Sequence, residues 1–286
     1  MVKRLLEENI LAKLNKEKAI ILLGPRQVGK TTLLKALFKN ATETIWLNAD
    51  EIDVQSLFVN ISAKRLQAII GNKKIIIIDE AQRIPEIGLR MKLITDQMPE
   101  VQLIATGSSA FELSNKLNEP LTGRKWEFKM YPISFQEMVN HHGLLDEMRL
   151  LPHRLIYGYY PDVVNHPGNE KEILKQLSDS YLYKDILLID QIENRTDIGA
   201  LWENYLVSER VKYLAYQQKW VNHWYWRTTE QQEIDYLEEE NGKLTAYEFK
   251  WNPTAKVSIP NAFKQSYPLA EINIIHRENF YEFLVG

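Results

Sequence analysis

Cysteine is absent from the 286-residue sequence, which excludes disulfide bonds, thiolate zinc sites and a cysteine nucleophile. An excess of basic charge is also missing, because 35 Lys and Arg residues stand against 38 Asp and Glu residues, for a net charge of −3. This balance excludes a globally basic nucleic-acid-binding surface but leaves room for a local basic groove. The sequence has no run of about 18 apolar residues, and its start, MVKRLLEENI, lacks the apolar core of a secretory peptide. We therefore expect a cytoplasmic chain with no membrane partner.

The composition and the length indicate a globular protein with two domains. Apolar residues make up 45% and charged residues 26% of the chain, which is ordinary for a soluble fold. A prior of roughly 150 residues per domain gives about two domains for this length.

Short apolar runs alternate with stretches of helical spacing over the first 110 residues. The runs are continuous, which is typical of parallel strands covered on both faces. The order of strand, helix, strand, helix predicts an α/β fold with a doubly wound parallel sheet. The predicted strands begin at Ala19, Thr44, Lys74 and Val101, and the predicted helices cover 31–38, 54–70 and 86–98.

A phosphate-binding loop is the strongest motif in the sequence. The segment GPRQVGKT fits G-x-x-x-x-G-K-[ST] and lies between a predicted strand and a predicted helix. The glycines allow backbone N–H groups to face a phosphate chain, Lys30 would reach the β and γ phosphates, and the Thr31 hydroxyl would bind Mg²⁺. A glycine-containing turn before a helix is the alternative. The predicted ATP-binding residues are Gly24, Pro25, Arg26, Gln27, Val28, Gly29, Lys30, Thr31 and Thr32.

Two carboxylates follow the strand IIII at Asp79 and Glu80. Asp79 is placed to hold Mg²⁺, and Glu80 is placed to orient or deprotonate an attacking water, which favours hydrolysis. Because no [NT]-K-x-D tetrapeptide for reading guanine occurs, ATP is favoured as the nucleotide. The alternative is that the two acids end a strand and face solvent.

Ser108 and Arg124 are two further catalytic candidates. A hydroxyl of Thr106, Ser108 or Ser109, at the end of the third core strand, would sense the γ phosphate or hold the water; a serine-rich turn is the alternative. Arg124 follows a glycine in LTGRKWEF and would act as an arginine finger, in this subunit or on a neighbour's nucleotide. A surface arginine is almost equally well supported.

An acidic hairpin lies near the C-terminus, with Asn241-Gly242 as its turn. A two-residue loop there places Asp235 opposite Glu248, with Lys250 on the same face. A divalent metal would offset the repulsion between the two acids, with Glu203 on the preceding helix as a further ligand. Alternatively, Glu233 faces Lys250 in an ordinary ion pair, and a register shift by one residue would separate the acids.

The chain resembles the AAA-type P-loop ATPases of bacteria and archaea that carry a C-terminal domain of unknown function. The segments that carry the resemblance are GPRQVGKTT, IIIIDEAQ, ATGSSAFEL, LTGR, YPISFQEM, YGYYPDVV, YLYKDIL and YWRTTEQQEIDYLEEENGKLTAYEFK. The resemblance implies ATP binding and a C-terminal fold related to the PD-(D/E)XK nucleases. Four residues match the acid, acid, x, lysine pattern of that superfamily in order and spacing: Glu203, Asp235, Glu248 and Lys250. Longer relatives carry a winged-helix segment after the KDI motif, whereas ALWENYLVSERV follows closely here, which weakens the expectation of DNA binding.

These observations predict three segments and leave two functions open. The segments are a P-loop ATPase core at 1–130, a helical lid or connector at 131–198 and a nuclease-like domain at 199–286. The first function is Mg²⁺-dependent ATP hydrolysis coupled to the C-terminal domain, with DNA as a candidate partner. The second is a nucleotide-gated switch for a protein or DNA partner, with a vestigial nuclease-like domain. Assembly with a second copy or another protein also stays open.

Overall fold

A computed structural model of the chain describes residues 1–59, 61–107, 120–177 and 195–286. The chain divides into two compact units, one over Lys3–Ile133 and one over Ser134–Gly286. The described helices of the segment 131–198, which the sequence sets apart as a connector, belong to the second unit.

The first unit is built on a five-stranded sheet in the order β2-β3-β4-β1-β5. Every neighbouring pair is parallel, which confirms the predicted parallel α/β sheet. The strands are β1 (Ala19–Leu23), β2 (Thr44–Asn48), β3 (Ile75–Asp79), β4 (Gln102–Gly107) and β5 (Lys125–Lys129). The helices are α1 (Leu6–Leu11), α2 (Lys30–Leu37), α3 (Ile52–Leu57), α4 (Ala63–Ile70) and α5 (Ile87–Gln97).

The central strands of this sheet are covered on both faces. All residues of β1 and β4 are buried, although their side chains alternate between the two faces of the sheet. Burying a side chain such as Ile77, which is fully buried, contributes about 1.5–3 kcal/mol. The continuous apolar runs thus fix the sheet in the middle of the unit and bring the polar strand ends to one edge.

The predicted single helix at 54–70 is wrong. The structure has two helices there, α3 and α4, because Ser62 begins a new helix. Its hydroxyl accepts a hydrogen bond from the backbone N–H of Arg65 at 3.3 Å, which satisfies a donor that the first helical turn leaves unpaired.

The second unit combines helices with a four-stranded sheet. The helices are α6 (Phe135–His142), α7 (Leu144–Arg149), α8 (Leu151–Tyr157), α9 (Pro161–Asn165), α10 (Glu170–Leu177), α11 (Ile198–Tyr216), α12 (Asn261–Ser266) and α13 (Phe280–Val285). The strands are β6 (Asn222–Arg227), β7 (Glu233–Glu240), β8 (Lys243–Phe249) and β9 (Glu271–Ile275), in that spatial order. The first three are antiparallel, and β9 pairs parallel with β8.

Helix α11 holds the second unit together. Trp202 on α11 is fully buried and packs edge-on against Phe280 of α13, with ring centroids 5.2 Å apart. Glu209, also on α11, accepts a hydrogen bond from the backbone N–H of Phe135 at 2.8 Å, and this bond fixes the start of α6. The helices before α11 are therefore part of the same packed unit as the C-terminal sheet.

Within the ranges that the structure describes, none of the helices combines the length and the hydrophobicity that crossing a bilayer requires.

Candidate nucleotide and acidic sites

The predicted phosphate loop connects β1 to α2. Gly29 precedes the first residue of α2 and has a φ angle of 98°, a left-handed conformation that glycine adopts without steric cost. Gln27 also has a positive φ angle, of 62°. The loop thus curls tightly at the carboxyl end of a buried strand, and its last residues begin a helix.

Gly24 is packed too closely for any side chain. A Cβ atom built there would lie 2.3 Å from the carbonyl oxygen of Met130, which follows β5. The backbone on both sides is hydrogen-bonded, since Met130 N donates to Leu23 O at 2.7 Å and Gly24 N donates to Gly107 O at 3.3 Å. The start of the loop is therefore fixed against the ends of both strands that flank β1.

Lys30 is buried inside the curl of the loop, with 4% of its surface exposed. Its ammonium group donates hydrogen bonds to the carbonyl oxygens of Gly24 and Pro25, each at 2.9 Å. Burial lowers the pKa of Lys30, and the nearby carboxylates of Glu80 and Asp79 oppose this shift. The charge thus sits where the loop would surround a phosphate chain.

Asp79 joins the phosphate loop to the neighbouring strand ends. Its carboxylate accepts one hydrogen bond from the Thr31 hydroxyl at 2.8 Å and another from the Thr106 hydroxyl. Thr106 also accepts a hydrogen bond from the backbone N–H of Glu80 at 3.0 Å. Mg²⁺ prefers a few protein oxygens together with phosphate and water oxygens, so the hydroxyl of Thr31 and the carboxylate of Asp79 fit this ion.

Glu80 is held by its backbone and by its side chain. Its φ angle of 53° is left-handed, which is uncommon outside glycine. The amide of Gln82 donates to Glu80 Oε2 at 2.6 Å, and Gln82 is 8% exposed. Sequence reasoning missed Gln82, although the motif IIIIDEAQ contains it. The structure therefore presents the candidate base in one defined orientation.

The C-terminal hairpin has the predicted register. Asn241 and Gly242 form the turn with φ angles of 54° and 80°, and Glu240 pairs with Lys243. The paired register runs back to Tyr236 and Tyr247, so the next residues, Asp235 and Glu248, are opposite each other.

The two acids share one lysine. The ammonium of Lys250 lies 3.0 Å from Glu248 Oε2 and 3.7 Å from Asp235 Oδ2. Asp235 also accepts a hydrogen bond from the backbone N–H of Phe249 at 2.7 Å. The alternative pair of Glu233 with Lys250 is not formed, because Lys250 pairs with the other two acids and Glu233 lies 3.9 Å from Arg227 Nε.

The acids of this site repel each other. Burial and, to a lesser degree, the charge of Asp235 raise the pKa of Glu248. The same two causes raise the pKa of Glu203 on α11. Burial alone would lower the pKa of Lys250, but its hydrogen bond with Glu248 and the negative charges around it raise the pKa. The four predicted residues are thus electrostatically coupled.

A ready-made metal cluster is not assembled, however. Among the described residues, no three His, Asp or Glu side chains are arranged to hold an ion. Lys250 instead offsets part of the charge of Asp235 and Glu248, and metal binding by this pair with Glu203 stays a proposal.

A β-bulge lies next to the acidic site. The pairing of β6 with β7 shifts between Trp224 and Trp226, so that Asp235 and Tyr236 together face Tyr225. Bulges often re-aim a side chain beside a functional site, and Asp235 is one of the two residues in this bulge.

Two family models match the chain. One, described as an AAA domain, covers residues 16–139, and the other, a domain of unknown function (DUF4143), covers residues 198–282. The chain combines an AAA domain with a DUF4143 domain. The parallel sheet and the phosphate loop of the AAA domain give it the P-loop NTPase fold, and a second α/β domain follows.

Relatives with sequence similarity include an uncharacterised protein of Mycobacterium tuberculosis, which is 34% identical over 39% of this chain and 24% of its own length. An uncharacterised protein of Methanocaldococcus jannaschii is 23% identical over 69% of this chain and 48% of its own length. The chain thus spans from about a quarter to about half of these curated relatives.

Solved structures that are similar include a Walker-type ATPase of Pyrococcus abyssi, at 18% identity and a TM-score of 0.37, with 77% of this chain and 75% of that chain covered. Another is a Bacteroides Pif1 bound to single-stranded DNA, at 16% identity and a TM-score of 0.32, with 53% and 49% covered.

Arg124 lies away from the phosphate loop of the AAA domain. Its carbonyl accepts a hydrogen bond from Ala19 N at 2.9 Å, so it is at the amino edge of the sheet, whereas the loop follows the carboxyl end of β1. Its guanidinium pairs with Asp96 at 2.6 Å. The structure does not bring Arg124 to the nucleotide site of its own subunit, which contradicts the predicted role in cis; a role on a neighbour stays a proposal.

The other predicted residues differ in position. Arg26 and Thr32 are exposed at the loop and in the first turn of α2. Ser108 lies outside the described residues. Arg4, which sequence reasoning also missed, donates hydrogen bonds to Val28 O and Tyr131 O. It lies 24 residues before Val28, so no local pattern in the sequence indicated this contact.

We expect Glu203→Gln to stabilise the protein at neutral pH by less than about 1 kcal/mol, because solvent screens a half-exposed carboxylate. Folding raises the pKa of Glu203 above the unfolded value of 4.5, so the ionised carboxylate destabilises the folded state at pH values above the raised pKa. This destabilisation disappears as the pH falls through the raised pKa and the carboxylate becomes protonated in both states. The gain should therefore vanish in acid. Urea unfolding at pH 7.5 and pH 4 measures it, with the exposed Glu230→Gln as a control. Equal gains at both pH values would contradict the electrostatic origin.

Proposed function

We propose that the protein binds Mg²⁺ and ATP and hydrolyses ATP, and that hydrolysis is coupled to its DUF4143 domain. The observation that carries this proposal is the hydrogen-bonded series Thr31, Asp79, Thr106 and Glu80. It connects the phosphate loop with the backbone of Glu80, whose carboxylate is the base in this proposal. The absence of a guanine-reading tetrapeptide favours ATP, and the absence of cysteine favours the cytoplasm as the place of action.

Each residue of the site has a distinct role in this proposal. Bound Mg²⁺ supplies positive charge that offsets the charge developing on the phosphates. Thr31 and Asp79 would hold the ion. Lys30 exchanges its bonds with the loop carbonyls for the β and γ phosphates, and Glu80 orients the attacking water and accepts its proton.

The alternative proposal is a nucleotide-gated switch. The observation that favours this alternative is the hydrogen bond that the Gln82 amide donates to the carboxylate of Glu80 at 2.6 Å. A base that stays bound in this way activates water slowly, and the protein would then hold ATP for long periods.

We expect Lys30→Ala to abolish ATP binding and hydrolysis, and Glu80→Gln to keep ATP binding but lower kcat by about 100-fold or more. Lysine supplies the charge for the phosphates, whereas a glutamine cannot take a proton from water. Phosphate release with Mg²⁺ and binding of labelled ATP measure the two effects, with the exposed Lys39→Ala as a matched control.

Two outcomes of this assay separate the proposals. If the wild type and Glu80→Gln release phosphate equally slowly while ATP stays bound, the nucleotide-gated switch is the correct proposal and the ATP-hydrolysing enzyme is wrong. If the wild type retains no ATP, both proposals are wrong.

For the DUF4143 domain we propose a divalent metal site of the PD-(D/E)XK kind. Asp235 and Glu248 are opposite each other beside a bulge, and the positive charge of Lys250 already offsets their repulsion. A divalent ion would do so more strongly and would leave Lys250 to contact a phosphate or the attacking water. Glu203 would supply a further oxygen ligand. We propose nuclease activity as the function of this metal site.

We expect Asp235→Ala and Glu248→Ala each to abolish Mg²⁺ or Mn²⁺ binding by the DUF4143 domain, because each removes one of the two facing carboxylates. Calorimetry on the Lys30→Ala chain isolates this site from the nucleotide site. Glu240→Ala, exposed on the same hairpin, is the matched control. Unchanged metal affinity in either site variant would overturn the proposal.

Single-stranded nucleic acid is the partner that we propose, although ALWENYLVSERV follows the KDI motif closely in the sequence. Exposed aromatic side chains are concentrated at the start of the C-terminal sheet, with Trp220 at 95%, Tyr225 at 72% and Trp224 at 44% exposure. Bases stack on such rings at about 1–3 kcal/mol per base. The nearby Glu238 repels a phosphate chain less than its charge suggests, because Arg210 donates two hydrogen bonds of 2.8 Å to its carboxylate.

We expect Trp220→Ala and Tyr225→Ala each to weaken single-stranded DNA binding by roughly 5- to 150-fold. Fluorescence anisotropy measures this effect, with Leu269→Ala, an apolar residue that is 94% exposed, as the control. The same oligonucleotides, added to the phosphate-release assay, test whether DNA stimulates hydrolysis. If the wild type binds neither single- nor double-stranded DNA, the proposal of a nucleic-acid partner is wrong, and a protein or a second copy of the chain becomes the proposed partner.

A further inference from the structure

Arg4 connects three parts of the first unit. It precedes α1, and only 7% of its surface is exposed. Nη1 donates to the carbonyl oxygen of Val28 at 2.9 Å, and Nη2 donates to the carbonyl oxygen of Tyr131 at 2.6 Å. One carbonyl belongs to the phosphate loop, and the other follows β5.

The bond to Val28 determines the direction of the next N–H group. Val28 O and Gly29 N belong to one peptide plane, and the structure has no cis peptide bond among its described residues. In a trans peptide the C=O and N–H bonds point in opposite directions. With its carbonyl oxygen bound to Arg4, this peptide directs the Gly29 N–H away from the guanidinium.

We propose that Arg4 is a positioning residue for nucleotide binding, which orients the Gly29 N–H towards the phosphates and polarises it. This inference rests on the proposed ATP site. The need for such a residue follows from Gly29 itself, whose φ angle of 98° lies in a region where glycine has great freedom. A charged donor on the carbonyl also strengthens the N–H of the same peptide as a donor.

Arginine suits this role better than lysine does. Its planar fork spans two carbonyl oxygens from separate segments, while an ammonium is a point charge on a flexible stem. The guanidinium contacts this part of the loop directly through the hydrogen bond to Val28 O, and a Cβ atom added to Gly29 would lie 3.9 Å from Arg4 Nη1. The Val28–Gly29 peptide is thereby held in register with the segment that follows β5.

The test uses the full chain and three variants: Arg4→Lys, Arg4→Gln and Arg4→Ala. We expect KM and Kd for ATP to rise roughly tenfold or more in each, while kcat changes less because Glu80 is intact. Lys3→Gln, exposed next to Arg4, is the matched control, and circular dichroism verifies folding without nucleotide.

Guanidinium ion at low millimolar concentration should restore ATP affinity to Arg4→Ala, and urea at the same concentration should not. A variant that is merely less stable would respond in the opposite sense, since guanidinium is a denaturant. If Arg4→Ala does not fold, the KM of Arg4→Lys decides. If the wild type binds ATP and the folded Arg4 variants bind it with the same affinity, the inference is wrong and the proposed function stands. If the wild type binds no ATP, both the proposed function and the inference are wrong.

Discussion

The geometry of the nucleotide site depends on the hydrogen bonds that the carboxylate of Asp79 accepts. It is 6% exposed and accepts hydrogen bonds from two hydroxyl groups, one at the start of α2 and one at the end of β4. A buried carboxylate without partners would be costly, so the position of Thr31 is tied to that of Thr106. The backbone of Glu80 is attached to the same hydroxyl. The loop, the oxygens of Thr31 and Asp79, and the backbone of the candidate base are consequently one hydrogen-bonded assembly.

Charge balance governs the second site in a different way. Asp235 and Glu248 are held opposite each other by a hairpin whose turn fixes the register, so the backbone imposes their repulsion. Lys250 offsets part of it, and burial together with the charge of Asp235 still raises the pKa of Glu248. Such an arrangement is more demanding than an ordinary cross-strand ion pair. That electrostatic cost is what the proposed divalent ion would reduce.

Local signals predicted the features that local chemistry determines. The continuous apolar runs gave the parallel strands, and the Asn241-Gly242 dipeptide gave the hairpin and its register, because each depends on neighbours in sequence. The break before Ser62 was missed, since apolar spacing continues across it and only a side-chain cap marks the second helix.

Long-range features were beyond the sequence. Arg4 and Gln82 act through hydrogen bonds that only the folded backbone brings into reach, and β9 was not predicted because its partner β8 precedes it by more than 20 residues. The edge of the sheet at which Arg124 lies follows from the pairing of β5 with β1. A motif alone contains no information on that pairing.

The bulge opposite Tyr225 resolves a conflict of periodicity in β7. Ile234 and Leu237 are three residues apart, and strict alternation would send them to opposite faces, yet both belong to the same apolar cluster with Ala246 and Phe263. The additional residue allows one short strand to contribute two side chains to a single hydrophobic layer and still present a carboxylate between them. Deleting one residue here would force the strand to give up either its core or its acid.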